Sequence, residues 1–363
     1  MPKWGLTMKE GSVGDWLIEE GETVDSSMEV VEVETDKITS AVEVSDSGIL
    51  RRTVAVSGET LPVGALLGVI TEEEVSDEEL DDFIQKFQDN FVPEEDNEED
   101  SGPKIETVQI GELTLNFLRQ GDAEKVAFLL HGFGGDHNNW LFNHQALISN
   151  RTVIALDLPG HGSSSKDVGN GSIDFMAETI LQFMKELDIM EADLVGHSMG
   201  GAIALQLAKS HPEMVRSLTL IGSAGLGEEI NGDYLRGFTQ SQSRRELKPF
   251  VQQLFKDSSL VTRQLVDDLI KFKRIDGVQA CLEKIIDCFI DGANQVLDLR
   301  NVLEEQDIPS LVIWGREDRI LPADHTINLP KQVQVNIFED AGHMAQMESA
   351  SEVNRLINEF WKY

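Results

Sequence analysis

Five residues, Gly196-His197-Ser198-Met199-Gly200, constrain this chain more than any other stretch. They stand between an apolar run, Ala192-Asp193-Leu194-Val195, and a segment of strong helix formers, Ala202-Ile203-Ala204-Leu205-Gln206-Leu207-Ala208. A strand that turns sharply into a helix, with Gly-x-Ser-x-Gly at the turn, is the pattern of a nucleophile elbow. The serine must accept a strained backbone that exposes its hydroxyl, and the two glycines let strand and helix pass closely. A glycine-rich turn with an incidental serine would look the same over five residues, so the partners of Ser198 decide.

Strand patterns at 126–130, 152–156, 192–195, 217–221, 310–314 and 333–338 alternate with helical ones such as 172–187 and 199–209. This alternation predicts a mostly parallel sheet with helices on both faces, whose ligands bind beyond the carboxyl ends of the strands. Ser198 falls at such an end. Asp318 follows the strand Leu311-Val312-Ile313-Trp314-Gly315, and His343 follows Asn336-Ile337-Phe338, so the chain order is Ser, Asp, His. In that order His343 takes the proton of Ser198 while Asp318 holds the imidazole's tautomer. Glu317 and Asp340 compete with Asp318, and seven other histidines compete with His343, which follows the last strand and a glycine. Leu130-His131-Gly132-Phe133-Gly134-Gly135 follows the first strong strand. From it the backbone N–H of Phe133, with that of Met199, would face a developing oxyanion. His131 and His161 are expected to fix loops by hydrogen bonding rather than to act as bases. Between about 225 and 300 the strand rhythm gives way to helical runs at 245–255, 261–272 and 278–289, predicted to cap the site.

The first seventy residues follow another rule. They repeat at a spacing of about 37 residues: Gly11 matches Gly48, and Gly21-Glu22-Thr23-Val24 matches Gly58-Glu59-Thr60-Leu61. Val13, Ile18, Val30 and Val33 likewise match Leu50, Ala55, Leu67 and Ile70. Short alternating runs bounded by Gly, Ser and Asp predict two quasi-symmetric halves of a small antiparallel β-sandwich. Between the halves, Thr35-Asp36-Lys37 puts one lysine at the tip of a polar turn, where a lysine alone is ordinarily a solvated charge.

Residues 73–103 read as an acidic connector. Ser76 is a candidate N-cap for a short helix carrying Leu80, Phe83, Ile84 and Phe87, and the run from Pro93 to Pro103 is expected to be extended and self-repelling. Residues 1–103 hold 28 acidic and 6 basic side chains, which is -22 of the net charge of -35. That balance argues against nucleic acid or an anionic membrane as partner, since both demand a basic face, and it favours solubility and mutual repulsion of copies. Cys281 and Cys288, seven apart in one helical run, read as packed thiols, and no metal site is expected. No stretch is apolar for long enough to span a bilayer, and Met1-Pro2-Lys3-Trp4-Gly5 lacks the apolar core of a signal peptide, so a cytoplasmic protein is expected.

The Thr35-Asp36-Lys37 turn, the repeat around it and the opening Met1-Pro2-Lys3-Trp4-Gly5-Leu6-Thr7-Met8 resemble the lipoyl domains of 2-oxo-acid and acetoin dehydrogenase complexes. Biotin carriers share that fold but have Met-Lys-Met at the tip. The resemblance implies lipoic acid in amide linkage on Lys37, and a few strand residues upstream of Met1. Residues 130–135, 157–163, 196–200, 315–318 and 342–343 are similar to the α/β-hydrolase superfamily, over roughly residues 104–363. The expected organisation is therefore multidomain: a lipoyl/biotinyl-type sandwich at 1–72, the connector at 73–103, and an α/β-hydrolase fold with a helical cap at 104–363.

Together the parts resemble the acetyltransferase components of bacterial acetoin dehydrogenase complexes. That resemblance implies a thiamine-diphosphate-dependent acetoin-cleaving partner that acetylates the lipoyl arm, coenzyme A as acyl acceptor, and a dihydrolipoamide dehydrogenase that reoxidises the arm. The His-x-x-x-Asp-Gly motif of ordinary lipoate acyltransferases is missing, because Phe272 and Asp287 stand where the histidine should precede Asp276-Gly277 and Asp291-Gly292. Acyl transfer would then fall to the Ser198 triad. Two alternatives stay open at this point: a serine hydrolase or thioesterase acting on acyl-lipoyl groups or small esters, and a lipoyl carrier that serves mainly as scaffold. The sequence also leaves open a homo-oligomer and the docking surfaces for partner subunits.

Overall fold

The computed structural model describes residues 1–2, 10–25, 28–35, 39–44, 47–72, 74–91, 104–292 and 294–362. It divides into two units, Met1–Asp100 and Ser101–Tyr363.

Alternation of apolar and polar residues makes the strands of the first unit: β1 (Glu10–Trp16), β2 (Thr23–Val24), β3 (Glu29–Glu34), β4 (Thr39–Glu43), β5 (Gly48–Thr53), β6 (Thr60–Pro62) and β7 (Gly68–Thr71). They pair antiparallel in two sheets, ordered β4-β3-β1-β6 and β2-β5-β7. The sequence repeat is the symmetry of this sandwich. Val13, Ile18, Val30 and Val33 are buried, as are their counterparts Leu50, Ala55 and Leu67. Gly21 (φ 92°) and Gly58 (φ 88°), which match in the repeat, both take the left-handed conformation that glycine tolerates. β3 and β4 pair with Glu34 opposite Thr39, so Lys37 lies in the sequence between two paired strands. Lys37 itself, like residues 3–8 of the opening motif, lies outside the described residues.

The helix expected in the connector forms as α1 (Asp77–Asn90), but it packs on the first unit instead of standing in a linker. Ser76 Oγ accepts the N–H of Glu79, and the Glu79 carboxylate accepts the N–H of Ser76, a reciprocal cap. Arg52 of β5 bonds Asp77 at 3.2 Å and reaches Asp81 at 3.5 Å, Leu80 is buried, and Phe91 packs against the core of the sandwich. The acidic run 92–103 lies outside the described residues.

The second unit is built on one sheet: β8 (Lys104–Ile110), β9 (Leu113–Gln120), β10 (Val126–Leu130), β11 (Thr152–Leu156), β12 (Ala192–His197), β13 (Val215–Ile221), and further on β16 (Ser310–Gly315) and β17 (Gln334–Phe338). The order is β17-β16-β13-β12-β10-β11-β9-β8. Six strands from β17 to β11 are parallel, and β9 and β8 add an antiparallel hairpin at one edge. Every residue of β11, β12 and β16 is buried, as parallel strands covered on both faces require. The covering helices include α2 (His144–Leu147), α3 (Ile173–Glu186, capped by Ser172) and α4 (Met199–Ser210). The cap consists of α5 (Gly232–Gln240), α6 (Arg244–Val251), α7 (Arg263–Lys273) and α8 (Val278–Phe289), followed by a small hairpin, β14 (Ile290–Asp291) with β15 (Asn294–Gln295). Short α9 (Val302–Glu305) precedes β16, and α10 (Ala345–Glu348) and α11 (Ala350–Phe360) close the chain.

Candidate active site

Ser198 joins β12 to α4 with φ 52° and ψ -116°, a backbone conformation that few residues with side chains adopt. Its surroundings hold it there. Its N–H donates to the Ile221 carbonyl at 3.0 Å, and its carbonyl accepts the N–H groups of Gly201 (3.0 Å) and Ala224 (3.1 Å). The glycines are needed sterically: a Cβ on Gly196 would lie 2.5 Å from the Gly200 carbonyl oxygen, and one on Gly200 would fall onto that of Leu130.

The loops after β16 and β17 bring Asp318 and His343 together. Asp318 Oδ2 accepts His343 Nδ1–H at 2.7 Å, and both side chains are buried. The other carboxylate oxygen, Oδ1, accepts the N–H groups of Ile320 (2.8 Å) and Leu321 (2.9 Å), which fixes its plane. Because Nδ1 carries the proton, Nε2 is left as the basic nitrogen. The competitors lie elsewhere: Glu317 is exposed, and Asp340 is exposed and paired with Lys256. Among the described residues Ser198 Oγ makes no hydrogen bond to His343, a link that commonly tightens only with substrate bound. The end of β13 brings the two close: Ile221 bonds Ser198, and the next residue, Gly222, has its Cβ position 3.2 Å from His343 Nδ1 and 3.3 Å from Asp318 Oδ2.

The loop after β10 lies against the serine, with the Cβ position of Gly132 3.1 Å from Ser198 Cβ. Phe133 follows directly, and Met199 is the first residue of α4, where an N–H has no partner within the helix. His131 is a loop fastener, its Nδ1–H donating to the Gly132 carbonyl (2.7 Å) and its Nε2 accepting the N–H of Leu158 (3.1 Å). His161 donates to the Pro159 carbonyl at 3.0 Å, and burial pushes its pKa down to about 3. Asp157 ties the two loops, accepting from the N–H and Nδ1 of His137 and from the N–H of Ser163.

One residue of the site escaped the sequence reading. His197, beside the nucleophile, donates from Nε2 to the His343 carbonyl at 3.0 Å, and the two rings stand 4.7 Å apart. Burial, then the neighbouring His343, hold its pKa well below the ordinary histidine value. Its only sequence signal is a histidine at the variable position of Gly-x-Ser-x-Gly.

Among the described residues no cluster of His, Cys, Asp or Glu could hold a metal, and no helix is long and apolar enough to cross a membrane.

Residues 128–350 match the family model described as the alpha/beta hydrolase fold, and residues 1–70 match one described as biotin-requiring enzyme. The chain is 49% identical to the dihydrolipoyllysine-residue acetyltransferase component of the acetoin cleaving system of Pseudomonas putida, across 98% of this chain and 95% of that one. Its identity to the component of the same name in Cupriavidus necator is 44%, over the same shares. Among solved structures, the second unit is similar to a meta-cleavage product hydrolase from Pseudomonas fluorescens, with a TM-score of 0.64 and 25% identity over 71% of this chain and 97% of that one.

Proposed function

The chain belongs to the family of dihydrolipoyllysine-residue acetyltransferase components of acetoin cleaving systems, and on that premise we propose that Ser198, His343 and Asp318 carry its acetyl transfer. It is an acyltransferase with a lipoyl domain, moving acetyl groups to coenzyme A. The observation that carries the triad assignment is the buried His343–Asp318 bond of 2.7 Å beside a serine held at φ 52°.

Lys37, in the sequence between β3 and β4, would hold lipoic acid in amide linkage, and the arm would supply the acetyl group as a thioester on a long tether, which would make its delivery intramolecular. His343 Nε2 takes the proton of Ser198 Oγ as the oxygen attacks the thioester carbonyl. The N–H groups of Phe133 and Met199 stabilise the oxyanion, a donor of this kind being worth about 3 kcal/mol of barrier. His343 returns the proton to the departing thiol, leaving acetyl-Ser198. It then takes the proton of the coenzyme A thiol as the sulfur attacks the acetyl-serine carbonyl; the bond from the carbonyl carbon to Ser198 Oγ breaks, His343 returns the proton to that oxygen, and acetyl-CoA departs. One thioester is exchanged for another, so no energy source is needed. The partners this scheme requires are a thiamine-diphosphate enzyme that cleaves acetoin and a dihydrolipoamide dehydrogenase, in the cytoplasm.

The test supplies the acetylated dihydrolipoyl protein with coenzyme A and measures acetyl-CoA against free acetate. Wild type is expected to form acetyl-CoA and Ser198→Ala to lose that activity. Equal acetyl-CoA from both would refute the triad's role, and acetate as the main product would make the domain a thioesterase. Intact mass is expected to show a lipoyl adduct that is lost in Lys37→Arg.

A further inference from the structure

Lys273, at the end of α7, is buried although it is a lysine. Among the described residues no carboxylate reaches salt-bridge distance of its ammonium, and the exposed Glu246 of α6 acts on it only from further off. The ammonium donates instead to three carbonyls where α5 ends, those of Phe238, Thr239 (3.1 Å) and Ser241 (2.5 Å). These three bonds use all three of its protons, and the negative end of the α5 dipole offsets its charge. Burying an ammonium this way is costly, and an aliphatic side chain would fill the space more cheaply. The position therefore asks for a reason beyond packing.

The reason lies one contact further on. Lys273 Nζ sits 5.3 Å over the Phe238 ring. That ring is buried against the loop after β10: a Cβ on Gly134 would lie 2.6 Å from two of its atoms, and the Phe133 ring meets it edge-on at 5.9 Å. The neighbouring residue of α7, Phe272, stacks on His161 at 6.3 Å, and His161 in turn meets Phe133 at 6.2 Å and His131 at 5.1 Å. The last turn of one cap helix thus bears on both sides of Phe133, whose N–H is assigned above to the oxyanion.

We propose that Lys273 is a positioning residue for acetyl transfer: by gathering the last carbonyls of α5 it seats Phe238 on Gly134 and so holds the Phe133–Gly134 backbone in its oxyanion-binding form. This role rests on the reading that Ser198 carries the acetyl group. It couples the cap to the chemistry, because an α5 displaced from α7 releases Phe238 and loosens the loop. Lys273 touches no reacting atom, so its loss is felt in turnover and leaves the acceptor's affinity alone.

The experiment compares Lys273→Met, Phe238→Leu and the double variant in the full lipoylated chain, with Ser198→Ala alongside. Each single variant is expected to lower kcat for acetyl-CoA formation about tenfold, with the KM for coenzyme A unchanged. The double variant should fall no lower than the worse single, since both act through one contact. Amide hydrogen exchange at Phe133 and Gly134 should speed up in both singles while that of β12 stays slow. Should Lys273→Met fail to fold, Phe238→Leu, which removes no hydrogen bond, carries the same kinetic and exchange readouts. Losses that multiply in the double variant, a loss confined to KM, or wild-type kcat in either single would overturn the positioning role. If Ser198→Ala keeps wild-type activity, the triad reading falls and the positioning role with it. If Ser198→Ala is inactive while Lys273→Met is not impaired, only the positioning role falls.

Discussion

At φ 52°, Ser198 occupies a region that costs a residue with a side chain on the order of 1–3 kcal/mol, and the hydrogen bonds to Ile221, Gly201 and Ala224 hold it there. The same economy governs Asp318. Its Oδ1 is occupied by two backbone N–H groups, so Oδ2 is committed to His343. Asp318→Asn keeps the shape but can present an amide N–H to His343 Nδ1, which moves the imidazole proton to Nε2 and removes the base. We expect kcat for acetyl-CoA formation to fall by about 10⁴-fold with thermal stability little changed. A loss below tenfold would mean that another residue orients His343. The strand-end places of Ser198 and His343 were legible because each follows a strand with glycine within two residues, and the order Ser, Asp, His pointed to an acid between them. The choice among Asp318, Glu317 and Asp340 was not legible, since only the folded loop decides which carboxylate is buried. His197 was invisible for a related reason: its contact, the His343 carbonyl, lies 146 residues away.

Among elements, the strands that run continuously apolar were read nearly to their ends, because burial on both faces leaves no ambiguity of period. Strand β9 alternates instead, with Leu113, Leu115 and Phe117 inward, and the β8–β9 hairpin at the sheet edge was missed along with α11. Helix α1 was read correctly as a helix but placed in the connector, since its attachment depends on Arg52 and Phe91, 25 residues before its first residue and one after its last. The ends of β11, β12 and β13 away from the site are clamped by a cluster that no spacing announces. Asp193 accepts Arg151 Nε at 2.7 Å, Arg216 Nη1 at 3.1 Å and Ser217 Oγ at 2.6 Å. Arg151 also lies over the Trp361 ring at 5.0 Å and donates to its carbonyl, which anchors the segment after α11. Asp193→Ala would leave the buried Arg151 charge unpaired, and we expect it to cost about 3–5 kcal/mol of stability in urea unfolding. The kcat of the folded fraction should stay at the wild-type value, because Asp193 and Ser198 stand at opposite ends of β12. A cost under about 1 kcal/mol would show that the cluster is solvated in solution.

Across the whole molecule, charge and histidine are segregated, and the two units should therefore answer acid differently. All eight histidines fall after residue 100, and four of them, His131, His144, His161 and His197, are buried with their pKa pushed down chiefly by burial. For His144 the folded value is about 4 against an ordinary 6.5. Between those values the unfolded chain binds the proton and the folded one does not, so stability present above pH 6.5 is lost as pH falls toward 4. A shift of that size corresponds to about 3 kcal/mol for this one residue. The first unit has no histidine, and its Glu20 carboxylate, held low by the N–H and hydroxyl of Thr53, loses stability only as pH falls through the carboxylate range. In the same interval, partial protonation of its many carboxylates relieves self-repulsion. Scanning calorimetry from pH 7 down to pH 5 is therefore expected to move the transition of the second unit to lower temperature while that of the first unit stays or rises. His144→Gln, which cannot bind the proton, should move less than wild type over the same range. Equal displacement of both transitions, or a His144→Gln profile parallel to wild type, would mean that the acid response comes from carboxylates and not from histidines buried in their neutral form.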